Sequence, residues 1–402
     1  MKAKVMLFSK LSSILLLILF SINFSFAFHI VGYFPTWTGN VNTIQYDKLT
    51  DINYAFVLPT STGDLNLTGF NSSRLNSLVS LSHSNNVKVL IAVGGWNLGD
   101  GGGNDTRFET LAADQTSRTN FVVNMINFVE TYNLDGVDID WEYPDPGASA
   151  TNFAALMKEL SDSLQPRGKL LTAAVVNRGT QGGGVLSEVF DYVDFINIMA
   201  YDAGTPHSTY SEAYESLNYW LGRGLPPSKA ILGVPFYGRS PYSSYKDLVA
   251  QDPTAPLKDN IGTIYYNGIQ TMKNKTNLAK SSGGGIMIWE LTQDTNDNTS
   301  LLKAIYESSP LPVKNPSLST KITIFPNPVS GNELNIAGNP LLKSGCSLVI
   351  FNSEGVELFR KEDADFSFDQ LIEIPELLPG IYFLKIYNEE VSGMEKVVVI
   401  KN

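Results

Sequence analysis

Cysteine is nearly absent from this 402-residue chain. Cys346 stands alone, so no intramolecular disulfide can form, a thiolate metal cluster is not expected, and the residue reads as a small buried apolar group. Histidine is almost as scarce. His29, His83 and His207 are scattered without ligand spacing, so no zinc or iron site and no cofactor is expected. Charge is thin as well, at 17% of residues, and it leans acidic, with a net charge of −11. No cluster of Lys and Arg offers a phosphate-binding face, which argues against nucleic acid as a partner and favours a neutral substrate.

Long apolar runs are missing except at the start, where Lys2, Lys4 and Lys10 precede an unbroken stretch from Ile14 to Phe20, followed by small residues at Ser25 and Ala27. This is the pattern of a secretory signal peptide over residues 1–27, cleaved near Ala27. The stretch falls short of the ~20 residues a membrane-spanning helix needs, so no stable membrane span is expected after processing; a retained anchor is the alternative. The mature chain is expected to be a secreted monomer. What the sequence does have in quantity is core: 43% hydrophobic residues and 11% aromatics, with 18 Tyr and 5 Trp, enough for a large barrel and a small module. Aromatic faces are also what sugar rings stack on.

Between residues 28 and 308, eight short β-rich runs recur: "HIVGYF", "DINYAFVL", "VKVLIAVGG", "LDGVDIDWE", "KLLTAAVV", "VDFINIMAYD", "AILGVPFYG" and "GGIMIWEL". Segments with helical apolar spacing separate them, such as "TSRTNFVVNMINFVETYN" and "ASATNFAALMKELSDSL", each with Thr or Ser near its start. The alternation predicts an α/β fold, a (β/α)8 TIM barrel, whose usual size is about 250 residues. A doubly wound sheet would also alternate, but no glycine-rich phosphate loop follows the first strand. Residues 309–321 gather Pro, Ser and Asn without period and read as a linker. Residues 322–402 hold short runs rich in Val, Ile, Tyr and Phe, the pattern of a small β-sandwich.

The acidic stretch "LDGVDIDWEYP" is the exception to the sparse charge. Side chains alternate along a strand, so Asp138, Asp140 and Glu142 share one face, and Val137, Ile139 and Trp141 share the other. With the apolar trio toward the helices, the acids enter the barrel and climb to its catalytic rim. Buried carboxyls about 7 Å apart cannot all ionise, because burial and like charge both raise a carboxyl pKa. Glu142, nearest the rim, is the natural general acid for cleaving a glycosidic bond. Asp140 is too close in line to attack from the opposite side of a sugar; Asp202, Glu290 and Asp294 also end strands, and spacing alone does not choose a nucleophile among them. Two polar stretches, near Gly99 and near Asp294, read as loops rather than calcium sites.

"DGVDIDWE" resembles the Asp-Gly-x-Asp-x-Asp-x-Glu signature of family 18 glycoside hydrolases, the chitinase family, at every fixed position. "VGYFPTW", "INYAFV", "IAVGGW", "INIMAYD", "GVPFYGR" and "GIMIWEL" extend the resemblance over the other strands. It implies a substrate-assisted mechanism in which the substrate's 2-acetamido oxygen is the nucleophile, and the reaction retains anomeric configuration. It assigns Glu142 as proton donor, Asp140 as the residue orienting the acetamido group, Asp138 as its proton-sharing neighbour, Tyr201 and Asp202 as holders of the N-acetyl group, and Trp289 as the floor under the sugar. Met199, Tyr33 and Phe56 match pocket-lining positions, Arg239 a sugar-contacting one, and Trp37 and Trp96 sit where further sugars would stack. The implied substrate is chitin or another N-acetylglucosamine-containing glycan, with an N-glycan-cleaving glucosaminidase or a non-catalytic chitin-binding lectin as alternatives.

One position departs from the family. Its third strand usually ends Ser-x-Gly-Gly, and here it reads "AVGG", with Ala92 in place of the hydroxyl. The loss predicts a shifted pH optimum unless water or Tyr33 replaces that hydrogen bond. The stretch between Arg239 and Gly283 is too short for the α+β insertion of larger chitinases, which predicts an open cleft and internal cleavage. At the C-terminus, "ITIFPNPVSGNELNI", "LPGIYFLKIYN" and "KVVVIK" resemble the sorting domain of the type IX secretion pathway, implying that machinery as a partner and the cell surface or the medium as destination. A carbohydrate-binding sandwich is the competing reading.

Overall fold

Strands buried on both faces, between a barrel interior and an outer layer of helices, read as nearly continuous apolar runs, and the eight runs are of that kind. The computed structural model describes residues 28–96, 104–310, 318–343, 345–352, 356–388 and 391–400. The segment expected to be a signal peptide, the glycine-rich stretch 97–103 and most of the expected linker lie outside the described residues. The runs form strands β1 (His29–Pro35), β2 (Asp51–Pro59), β3 (Lys88–Gly94), β4 (Gly136–Asp140), β5 (Leu170–Val176), β6 (Phe195–Met199), β7 (Ala230–Pro235) and β8 (Gly285–Trp289). All eight are parallel, each pairs with its successor, and β1 pairs with both β2 and β8, closing the barrel.

Helices pack outside. The expected helix at "TSRTNFVV" begins at Gln115 and runs to Thr131; Asp114 caps it by accepting from Ser117 N, so the cap lies ahead of the Thr and Ser of the sequence reading. The helix predicted at "ASATNF" spans Ala148–Leu164 and has no side-chain cap. Outward residues of the strands, Val137, Ile139 and Trp141 among them, join the core between strands and helices. Trp141 stacks on Phe108 with ring centroids 5.1 Å apart and donates from Nε1 to Asp105 Oδ2 at 2.7 Å. The inward residues form a smaller cluster of Val31, Tyr33, Ala55, Ala92, Ala174, Phe195, Met199, Ile231 and Met287.

Glycine is obligatory at the end of β3. Gly94 and Gly95 have φ of +115° and +86°, and a Cβ on Gly94 would strike the Asp140 carbonyl. Gly95 N donates to that carbonyl at 2.8 Å, so the glycine pair lets β3 and the acidic strand end side by side at the rim.

Between β7 and β8 the chain makes two short hairpins, Tyr237–Gly238 with Ser243–Ser244 and Asn260–Ile261 with Ile264–Tyr265, and two helices, Tyr245–Gln251 and Ile269–Ser282. The C-terminal residues form two sheets, one of five strands and one of three. Ile324, Leu334, Ile336 and Ile372 from the smaller sheet and Leu348, Ile350, Leu384, Ile386 and Val397 from the larger share one core. Cys346 is buried in it, its thiol donating to Lys343 O at 2.9 Å.

Candidate active site

A cavity of about 980 Å3 opens at the C-terminal ends of the strands. Of the twelve residues singled out in the sequence, eleven line it: Asp140, Glu142, Tyr201, Asp202, Trp289, Met199, Tyr33, Phe56, Arg239, Trp96 and Trp37. The twelfth, Asp138, lies below in the barrel interior, fully buried.

The acids form a column. Asp138 accepts from Tyr33 Oη at 2.5 Å, from Thr172 Oγ1 at 2.5 Å and from Asn197 Nδ2 at 3.1 Å. Burial pushes its carboxyl up to about 6, and those three hydrogen bonds hold it from going higher. Ala92 stands in register beside Asp138, at the position of the absent serine. The sequence predicts a lost hydrogen bond there unless Tyr33 or water replaces it; in the structure Tyr33, Thr172 from β5 and Asn197 from β6 all donate to Asp138.

Asp140, one step up, is almost completely buried, and its Oδ1 has no hydrogen-bond partner among the described residues. Burial, then the charges of Glu142 and Asp138, push it well above the ordinary carboxylate range. Glu142 lies just past the strand, at the cavity. Burial pushes it up to about 7 and the charge of Asp202 adds to this, while hydrogen bonds from the Tyr143 side chain and the Trp96 backbone pull the other way. The three acids therefore differ in how firmly each holds a proton, which is the condition for acid–base work near neutral pH.

The other strand-ending acids separate clearly. Asp202, after β6, takes a bidentate ion pair from Arg239 through Nε and Nη2 and a hydrogen bond from Tyr237 Oη at 2.8 Å. Arg239 is thus both a cavity residue and an ion-pair partner. Glu290 accepts from Thr292 N and Oγ1, and Asp294 from Leu301 N, Leu302 N and Ser300 Oγ, so both are occupied in holding local backbone and neither lines the cavity.

The cavity floor is aromatic. Trp37 stacks on Phe56 and Phe56 on Trp289, with centroids 6.4 and 5.7 Å apart, and Tyr33 meets Trp289 edge-on at 5.5 Å. Trp37 and Trp96 keep 64% and 54% of their surface exposed, enough to offer a face to a ligand. Sequence reasoning missed Tyr143, Asn177, Gln181, Tyr237 and Tyr242, which also line the cavity, and Thr172 and Asn197 beneath it. For the last two a signal existed: each is a polar residue inside an apolar strand run, at an inward position. For the other five, which lie past the ends of the barrel strands, alternation gave none.

Residues 29–294 match Glycosyl hydrolases family 18, and residues 323–401 match a Secretion system C-terminal sorting domain. The latter is the type IX sorting signal expected from the sequence, and it marks the chain for the extracellular space or the cell surface. Among solved structures, the chain is similar to a chitinase from the chitin utilization locus of Flavobacterium johnsoniae, at 32% identity, with 71% of this chain and 94% of that one covered and a TM-score of 0.63. A chitinase from Bacteroides thetaiotaomicron follows at 28% identity, covering 71% and 97%, with a TM-score of 0.64. Among curated proteins, Probable chitinase 2 of Drosophila melanogaster is 32% identical over 221 residues, 47% of this chain and 44% of that one. The match to Probable chitinase 10 of the same organism spans 16% of that longer protein. With the barrel, its acid column and a family match across the whole of both, the chain belongs to the family 18 glycosyl hydrolases.

Proposed function

We propose that the barrel is a secreted chitinase that hydrolyses β-1,4 bonds between N-acetylglucosamine units, with retention, by substrate-assisted catalysis, cutting within chains. One observation carries the mechanism. The only carboxylates among the described cavity-lining residues are Asp140, Glu142 and Asp202, and Asp202 is bound to Arg239. Among the described cavity-lining residues no further carboxylate is available as a nucleophile, which supports a nucleophile supplied by the substrate.

Glu142, pushed up to about 7, is largely protonated in mildly acid solution and gives its proton to the scissile oxygen. The C1–O bond breaks while the acetamido oxygen bonds to C1 from the other face. Asp140 takes the acetamido N–H and, as the oxazolinium forms, offsets its positive charge; Asp138 and Asp140 together keep one proton. Tyr201, whose hydroxyl is held neutral by burial and by the surrounding Tyr237, Asp140 and Glu142, donates to the acetamido group. Glu142 then takes a proton from the water that opens the ring, and Trp289 supports the sugar from below. The segment between β7 and β8 is short, two hairpins and two helices, which supports a cleft open at that side and attack within a chain.

The test is digestion of colloidal chitin and of a high-mannose glycoprotein side by side, with proton NMR of the first product anomer. Chitin oligosaccharides of mixed length appearing first as the β-anomer are expected. Glycan release without chitin products would make it an N-glycan enzyme, the α-anomer would refute retention, disaccharides alone would refute internal cutting, and no turnover of either substrate would leave a lectin.

A further inference from the structure

The segment that carries Tyr201 and Asp202 has no helix or strand between Met199 and Tyr210. Something must hold it, because a hydroxyl and a carboxylate act at a cavity only when their backbone is fixed. The support comes from a side chain outside the cavity. Lys275, on the helix Ile269–Ser282, is fully buried, and its Nζ donates to Ser208 O at 2.5 Å, Ser208 Oγ at 2.7 Å and Asn267 Oδ1 at 2.7 Å. Ser208 Oγ in turn donates to the carbonyl of Ala200 at 2.8 Å, the peptide that leads into Tyr201.

The same serine reaches a second cavity wall. Its N–H donates to Glu212 Oε2 at 3.0 Å, and Glu212 Oε1 accepts from Nδ2 of Asn177, a cavity residue following β5, at 3.0 Å. Asn267 completes the ring by donating to Ser208 O at 3.0 Å. Ser208 has φ of +55°, a conformation a serine adopts only when its surroundings fix it.

All three acceptors of the ammonium are neutral. A buried charge without a directly bonded counter-ion is costly, and burial pulls Lys275 down to about 7 although Glu212 and Asp259 act to raise it. Filling the space would need only a Leu or Met. The three donors of an ammonium are what the site uses.

We propose that Lys275 is a positioning residue for the reaction: it clamps Ser208, and through Ser208 the Ala200 carbonyl, so that Tyr201 and Asp202 stand at the cavity beside Glu142. This rests on the catalytic reading of Tyr201 above, and the readouts separate the two.

The experiment compares Lys275→Met, Ser208→Ala, the double variant and Lys275→Arg with the parent. Steady-state kinetics use a chromogenic chitooligosaccharide, and hydrogen exchange follows peptides covering 200–209 and the barrel strands. Lys275→Met is expected to lower kcat at least ~10-fold with KM within ~3-fold, because a sub-ångström to 1 Å misplacement of a positioned group acts on the transition state. Exchange should rise over 200–209 and stay parental in the strands; the double variant should be no worse than the poorer single, and Lys275→Arg should recover part of the loss. Ser208→Ala keeps the ammonium and its bonds to Ser208 O and Asn267 Oδ1 but removes the hydroxyl that joins Lys275 to the Ala200 carbonyl, so it decides the matter if Lys275→Met does not fold. Parental kcat in a folded variant overturns the proposal, as does exchange that rises equally throughout the barrel. A parent without turnover would sink the catalytic reading, while exchange at 200–209 would still decide whether the clamp exists.

Discussion

Replacing Thr172 by Val tests the acid column with almost no change in shape. The two side chains are nearly isosteric, so β5 should keep its place, but Asp138 loses one of the three hydrogen bonds that restrain its pKa. A hydrogen bond to a charged group is worth about 1.5–3 kcal/mol, which corresponds to about one to two pKa units. From its value of about 6, Asp138 would therefore move to about 7.5. The proposed mechanism needs Glu142 protonated and the Asp138–Asp140 pair holding one proton, not two; in the free enzyme Asp140, raised well above the ordinary range, holds that one, so the inhibitory second proton would go on Asp138. At pH 6 the ionised fraction of Asp138 would fall from about one half to about 3%, a loss of roughly 15-fold in kcat/KM, whereas at pH 8 the loss would stay below about two-fold. The assay is kcat/KM on a soluble chitooligosaccharide from pH 4.5 to 9, with circular dichroism to confirm the fold. Ala92→Ser, which places a donor beside the same carboxyl, should move the acid limb the other way, to lower pH. A loss of equal size at every pH, or an acid limb that does not move in Thr172→Val, would refute the reasoning.

Glu142→Gln should lower kcat by about 10^3-fold with KM little changed, since the group acts only as its proton moves; stopped assays with unlabelled oligosaccharide would show it. Asp202→Asn removes the negative charge that helps to raise Glu142, so the alkaline limb of the pH profile should shift to lower pH, read in the same assay. Stability should fall as pH rises from about 4 toward 7, because Asp138, Asp140, Glu142 and Asp294 are all raised in the folded protein and keep protons there that the unfolded chain has already released. The melting temperature should accordingly be higher at pH 5 than at pH 7.5, and the difference should shrink in an Asp140→Asn, Glu142→Gln double variant, as scanning calorimetry would register.

The inward placement of Asp138 and Asp140 was legible because their neighbours Val137, Ile139 and Trp141 leave only one apolar face, and a strand has only two. The aromatic floor was legible in part: Trp289 and Phe56 lie within β8 and β2, where alternation still constrains direction. Glu290 and Asp294 were not separable from Asp202 before the fold was seen. All three follow strand ends, where alternation stops governing direction, and only the folded backbone shows two of them turned to hold amides. The pairing of Arg239 with Asp202 joins two loops far apart in the chain, which no local pattern encodes.

Strand period, barrel class, export signal and the identity of the acid-bearing strand thus belong to the sequence, since each depends on residues a few positions apart. The protonation order of the acids belongs to the tertiary structure. It depends on how deeply each carboxyl is removed from water and on which donors from β1, β5 and β6 reach it, and both are set by the register of strands that meet only when the barrel closes.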